Sequence, residues 1–216
     1  PEQVVHLFTG SKIGFPGPRV GFLYSEAELE ISEGYKVPLA ELALVESSSE
    51  LLFHNPGALL GFEALLHKAD EQGGFTELDS MWPLAESKLV VYRENREILL
   101  KVLEQELGQH RNYFSWTLPD GGFFTVFSFL AEGVNGPVLT DDEMIERMVM
   151  EHGLVVIPMY DFYPKDARAR DLGAGMNQLR LSFCFSESAG QARRDDMHEA
   201  ITTFCSAAKV LVGIAD

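Results

Sequence analysis

Hydrophobic positions along the 216-residue chain fall into short β-branched runs and longer stretches with helical spacing. Val4-Val5-His6-Leu7-Phe8 is an apolar run closed by Thr9-Gly10 and reads as a buried strand. Residues 11–19 carry two glycines and two prolines, a loop signature, and 20–24 reads as a second strand. Residues 26–49 are acidic and weakly patterned, broken by Gly34 and Pro38, and read as loop with some helix. Asn55-Pro56-Gly57 opens a helix over 58–68 with Leu59, Phe62, Leu65 and Leu66 on one face, and 70–76 reads as a turn around Gly73-Gly74. Residues 83–107 form a long helix whose apolar positions include Leu84, Leu89, Tyr92, Ile98, Leu99 and Leu103. Its pairs Arg93/Glu97 and Glu97/Lys101 have the i, i+4 spacing of an exposed face.

The second half alternates more quickly. Residues 114–118 read as a strand, 119–122 as a turn, and 123–130 as a Phe-rich strand whose alternation is that of a core element. Thr140-Asp141-Asp142-Glu143 is a capping box before a helix over 143–151 that ends at Gly153. Strands follow at 154–158 and 178–185, and a last helix at 192–210. Strands and helices in this order predict a small α+β domain after an α/β one.

Composition narrows the class. With 46% hydrophobic and 23% charged residues the chain can bury a core, unlike a stapled miniprotein, a fibrous repeat or a disordered tail. A net charge of −16 disfavours nucleic acid and anionic membrane as partners, although single arginines can still hold small anions. Cys184 and Cys205 are too few and too scattered for a disulfide framework or a zinc site and read as core residues. The six histidines are dispersed, so no metal site is expected. No apolar run is long enough to cross a bilayer, and the expected setting is cytoplasmic.

One loop concentrates chemistry. A lone lysine after a strand is usually a solvated surface charge, but Lys12 follows Thr9 and Ser11 and precedes a Gly- and Pro-stiffened loop ending in Arg19. Such a loop lets backbone N–H groups approach a phosphate, and Arg19 adds a bidentate cationic fork. An amine beside an anion site suits a Schiff base with a phosphate-bearing aldehyde cofactor.

The run Thr9-Gly10-Ser11-Lys12-Ile13-Gly14-Phe15-Pro16-Gly17-Pro18-Arg19-Val20-Gly21 resembles the cofactor-lysine motif of the fold-type I pyridoxal-phosphate enzymes, the class I/II aminotransferases. Arg19 lies one residue nearer the lysine than in most members, which is similar to the valine–pyruvate aminotransferase branch. Further landmarks resemble that branch in order: Leu52-Phe53-His54-Asn55-Pro56-Gly57, Gly121-Gly122-Phe123-Phe124, Gly153–Pro158 followed by Asp161-Phe162-Tyr163-Pro164, and Gln178-Leu179-Arg180-Leu181-Ser182-Phe183.

The resemblance implies an α/β fold that is the C-terminal part of the pyridoxal-phosphate transferase fold. Residues 1–85 are then the remainder of the large cofactor domain, and 86–216 the linking helix and small α+β domain. It implies Lys12 as the Schiff-base lysine, Thr9, Ser11 and Arg19 as cofactor ligands with Gly17 as a further loop contact, and Arg180 as the clamp on the substrate α-carboxylate. Tyr160 and Tyr163 are candidates for the substrate mouth, and Asn55 for approach to a neighbouring subunit's cofactor in a homodimer. The implied reaction is transamination between an amino acid and a keto acid. A C–S or β-elimination lyase, an amino-acid oxidase, or an inactive interaction fragment remain alternatives on the same residues. In the family, the ring-stacking aromatic, the Asn near the phenolic oxygen and the Asp on the pyridine nitrogen precede the lysine, and no match to them stands before Lys12. The expectation is therefore that an upstream N-terminal segment completes the enzyme. The acidic 26–49 stretch is longer than the family leads one to expect and reads as an insertion or lid.

Overall fold

The computed structural model describes residues 4–12, 17, 20–51, 55–133 and 136–214, with the backbone alone for Lys12, Leu51 and Glu132. The chain folds as two compact units, residues 1–87 and 88–216.

The first unit begins with an antiparallel hairpin of β1 (Val5–Thr9) and β2 (Gly21–Ser25), Thr9 facing Gly21. A second hairpin follows, β3 (Glu28–Ser32) and β4 (Tyr35–Pro38), then α1 (Leu39–Leu51) and α2 (Pro56–Ala64). A short hairpin of β5 (His67–Ala69) and β6 (Phe75–Glu77) completes it. The acidic stretch is thus a hairpin and a helix, with the turn at Glu33-Gly34 (φ +71°) supplying the breaker as strand punctuation. The helix expected to reach residue 68 stops at Ala64, and the expected turn over 70–76 tightens to leave β6.

β1 forms where expected, but it is not buried: Leu7 is 75% and Phe8 59% exposed. Among the described residues of this unit only Gly10, Val20 and Ala58 are buried. The ribbon is only two strands wide, and although the Phe22 ring stands 4.9 Å from that of Phe62 on α2, most of its apolar side chains stay open.

In the second unit α3 (Trp82–Leu107, entering from the first) leads into β7 (Phe114–Trp116) and β8 (Phe124–Phe129). The ribbon β9 (Glu132–Gly133) and β10 (Gly136–Pro137) follows, then α4 (Asp142–His152), β11 (Ile157–Pro158), α5 (Lys165–Arg170), β12 (Gln178–Ser182) and α6 (Gly190–Leu211). Four strands make one antiparallel sheet in the order β11-β12-β8-β7. Phe114, Trp116, Phe127, Phe129, Leu179 and Leu181 meet Leu99, Leu103 and Leu107 of α3 and Met197, Ile201 and Phe204 of α6 in one core. Phe127 sits at its centre, its ring 4.9 Å from that of Phe204 and 5.5 Å from that of Phe114. Each such ring contributes about 2–3 kcal/mol by leaving water.

Strand period then decides what faces the other way. With Thr125, Phe127, Leu179 and Leu181 buried, Phe124, Val126, Gln178 and Arg180 occupy the opposite face.

α4 ends as read, with Gly153 at φ 68° in the left-handed region and its N–H on Val149 O. Its start differs. Asp141, not Thr140, caps it, accepting from Met144 N–H at 3.0 Å. Thr140 is fully buried and its hydroxyl lies 2.9 Å from Met176 O and 3.1 Å from Gln178 O, so backbone carbonyls at the start of β12 claim it. The strand expected over 154–158 pairs only at Ile157–Pro158, and the one over 178–185 leaves the ladder after Ser182.

That exit is held by a buried polar clamp. Asn95 donates to Phe183 O at 3.0 Å and Phe185 O at 2.7 Å, and accepts from Arg193 Nη1 at 2.7 Å. Arg193 also donates to Val91 O and pairs with Glu94. Its hydrogen bond holds the Glu94 carboxyl below the usual range. Cys205 is buried, which pushes its thiol up to about 12, while Cys184 is half-buried with Sγ 3.3 Å from Phe123 O; neither forms a disulfide.

Candidate active site

The candidate residues lie in both units, and each group stands on its own local structure. In the first unit β1 ends at Thr9 and passes at once into a single 3-10 turn, Gly10–Lys12. Gly10 N–H donates to Val20 O at 3.0 Å, closing the hairpin behind the turn. Thr9 Oγ1 accepts from Ser11 N–H at 3.1 Å and stands 3.0 Å from Ser11 Oγ. Gly21 faces Thr9 because the ribbon is tight there: a Cβ at that position would stand 3.2 Å from Phe8 O. Two hydroxyls and the Lys12 backbone are therefore gathered on one turn at a strand end. Arg19 lies outside the described residues, as does the Lys12 side chain, and Gly17 is described apart from its neighbours.

In the second unit Arg180 occupies the middle of β12, opposite Val126 on β8 and Ile157 on β11. Phe124 pairs with Ser182 and is thus the diagonal neighbour of Arg180 on the same face. The guanidinium carbon lies 4.8 Å from the Phe124 ring centre and 4.7 Å from that of Phe162. Among the described residues Arg180 has no hydrogen-bond or ion-pair partner, and its Nε is buried without one. A buried guanidinium N–H left without an acceptor is costly unless an incoming group completes it. The face beside it is polar: Tyr163 donates to Gln178 Oε1 at 2.8 Å, and Gln178 Nε2 lies 3.2 Å from Ser128 Oγ.

Of the remaining expectations, Tyr160 and Tyr163 flank Phe162 around the 3-10 turn Tyr160–Phe162, and the Asp161 carboxylate raises the Tyr160 phenol. Asn55 caps α2, its carboxamide oxygen accepting from Gly57 and Ala58 N–H. Among the described residues no three His, Cys, Asp or Glu side chains could share a metal ion, and no helix is long and apolar enough to cross a membrane. Phe124 is a site residue that the sequence analysis did not single out, although the alternation that buries Phe127 places Phe124 on the other face. The Asn95 clamp was missed too. Its signal was an amide on the apolar stripe of α3, in step with Leu99 and Val102.

No protein-family model matches the chain. It is 28% identical over 184 residues to the (S)-3,5-dihydroxyphenylglycine transaminase of Amycolatopsis orientalis, covering 83% of this chain and 35% of that protein. To the aromatic-amino-acid aminotransferase 1 of Thermococcus litoralis it is 26% identical, covering 85% of this chain and again 35% of the relative. It thus spans about a third of the length of the curated relatives it matches. The fold matches the alpha-aminoadipate aminotransferase of Thermus thermophilus, solved with N-(5'-phosphopyridoxyl)-L-leucine, with a TM-score of 0.62 and 22% identity over 97% of this chain and 43% of that one. The kynurenine aminotransferase of Pyrococcus horikoshii matches with the same score and identity over 96% of this chain and 41% of that one. The chain therefore has the fold of the C-terminal portion of the fold-type I pyridoxal-phosphate aminotransferases.

Proposed function

We propose that these residues belong to a pyridoxal 5'-phosphate-dependent aminotransferase that moves an α-amino group between an amino acid and a keto acid. The observation that carries this reading is Arg180: a cation over two aromatic rings, with a buried and unpaired Nε and no acid partner among the described residues. A planar carboxylate is the anion that a guanidinium fork engages best. The transaminase relatives support the same class.

The residues on the first unit fit a phosphate-bearing aldehyde. Thr9 and Ser11 bring two hydroxyls together at the end of β1, and Lys12 follows on the same turn. In this reading Lys12 Nζ would hold the cofactor, and Thr9, Ser11 and Arg19 would hold its phosphate. When bound, the cofactor supplies the electron sink that lets an amino acid lose its α-proton. Arg180 would orient the substrate carboxylate, and Lys12 Nζ would take the proton from the substrate Cα. Residues 1–85 are read as the remainder of the large cofactor domain and 86–216 as the linking helix and small domain. The relatives' greater length and the open apolar faces of β1 and β2 support an upstream segment that completes the enzyme. A homodimer in the cytoplasm suits the family resemblance and the two free thiols.

The test uses the full-length holoenzyme. Borohydride reduction and digestion should leave a pyridoxyl group on the peptide containing Lys12. Incubation with aromatic amino acids, the donors that the relatives' names put first, and 2-oxoglutarate should yield glutamate and the matching keto acid. Ammonia and pyruvate in place of glutamate, or a label absent from Lys12, overturns the reading.

A further inference from the structure

We infer that Phe162 is a positioning residue for carboxylate recognition, forming with Phe124 an aromatic clamp that sets the plane of the Arg180 guanidinium. The inference rests on reading Arg180 as the substrate-carboxylate ligand and adds the residues that make its fork usable.

A guanidinium carries five N–H donors in one plane, so it meets a carboxylate with two parallel bonds only if that plane is fixed beforehand. In most sites a neighbouring acid does this. Around Arg180 no acid does so among the described residues, and the rings stand in its place, 4.7 and 4.8 Å from the guanidinium carbon. Ring faces attract the cation without occupying its N–H edge. The clamp thus stabilises the charge before substrate arrives and leaves the in-plane edge for a carboxylate.

The two rings are held differently. Phe124 comes from the sheet itself, placed by the β8–β12 register. Phe162 comes from the turn after β11, and that turn is tied down on several sides. Met159 N–H donates to Gln178 O at 2.9 Å, Phe162 N–H to Met159 O at 2.9 Å, and Tyr163 hydroxyl to Gln178 Oε1. Gly175, at φ +76°, lies directly beneath: a Cβ there would stand 2.8 Å from Tyr160 Cα and from the Tyr163 ring. Asp161, next to Phe162, faces Arg168 at 3.7 Å, so the adjacent carboxylate is directed to another cation. Every one of these contacts fixes the segment that carries Phe162. The Phe162 side chain itself, 51% exposed, fills no core.

The experiment compares the full-length holoenzyme with Phe162→Leu, Phe162→Tyr, Phe124→Leu and Arg180→Leu. It measures inhibition by 3-phenylpropionate, a carboxylate without an amino group, and KM and kcat for 2-oxoglutarate with a fixed donor. Phe162→Leu should weaken inhibitor binding and raise the 2-oxoglutarate KM, each by about two- to fivefold, with a smaller change in kcat, because a cation–π contact to a half-exposed ring has about that strength. Phe162→Tyr, which restores a ring face, should return both to wild-type values. Wild-type inhibition and KM in Phe162→Leu overturn the inference, as does a defect that Phe162→Tyr leaves uncorrected, which would mark a packing role. Phe124→Leu tests the other ring independently and should weaken the inhibitor in the same direction; no change there refutes the clamp. Arg180→Leu separates the layers. If it leaves inhibition unchanged, the carboxylate role of Arg180 fails and the clamp with it, whereas a large loss in Arg180→Leu beside a silent Phe162→Leu overturns the clamp alone.

Discussion

Replacing Asn95 by alanine should remove much of the stability of the 88–216 unit. Asn95 is fully buried and makes three hydrogen bonds, two donated to the carbonyls of Phe183 and Phe185 and one accepted from Arg193. Each contributes about 1 kcal/mol net, and a buried carbonyl left without a donor costs about 1–3 kcal/mol more. Arg193 keeps Val91 O and Glu94, so its own loss is small. The total is about 3–5 kcal/mol, a large share of the roughly 5–15 kcal/mol that holds a domain. Asn95→Asp refines the test. It keeps an acceptor for Arg193 but loses both donated bonds and sets a carboxylate against two carbonyl oxygens, so it should also be destabilised. Urea unfolding read by Trp116 fluorescence follows this unit, since Trp116 is buried; a Trp82→Phe background removes the exposed second tryptophan. At a slope of about 2 kcal/mol per molar urea, Asn95→Ala should lower the midpoint by about 2 M. A fall worth less than about 1 kcal/mol would show that the strand exit needs no clamp, and a wild-type midpoint for Asn95→Asp would show that the donated bonds contribute nothing.

Two further outcomes follow from single residues. Glu94 titrates below the ordinary glutamate range because Arg193 donates to it, so its contribution is complete above that range and lost as the pH falls through its folded value. The stability difference between wild type and Glu94→Gln should therefore be constant near neutrality and shrink on acidification, measured as urea midpoints against pH. Gly153→Ala should cost about 1 kcal/mol by thermal or urea unfolding, since Gly153 sits at φ +68° with open space where a Cβ would go, leaving backbone strain as the whole effect. Gly153→Asn should recover part of it.

The legible parts of this protein were those written in local chemistry. The Gly153 stop, the long helix ending at Leu107, the Phe-rich strand and the turn that carries Lys12 all follow from spacing and breakers within a few residues. Thr140 shows where such reading ends. Its position fits a capping box, but carbonyls some 36 residues away take its hydroxyl, and nothing local signals that competition.

By itself the sequence determined the strand that ends at Thr9, the turn that follows it at Gly10-Ser11-Lys12, and the alternation that sets Arg180 against Leu179 and Leu181, because strand period and turn chemistry act over a handful of neighbours. Tertiary structure alone decided that Arg180 meets both Phe124 and Phe162 without an acid partner among the described residues, and that Asn95 joins α3 to the exit of β12. Those arrangements depend on register across the sheet and on helix packing over separations such as 88 residues. No local preference encodes such a distance; it is settled only when the whole core closes.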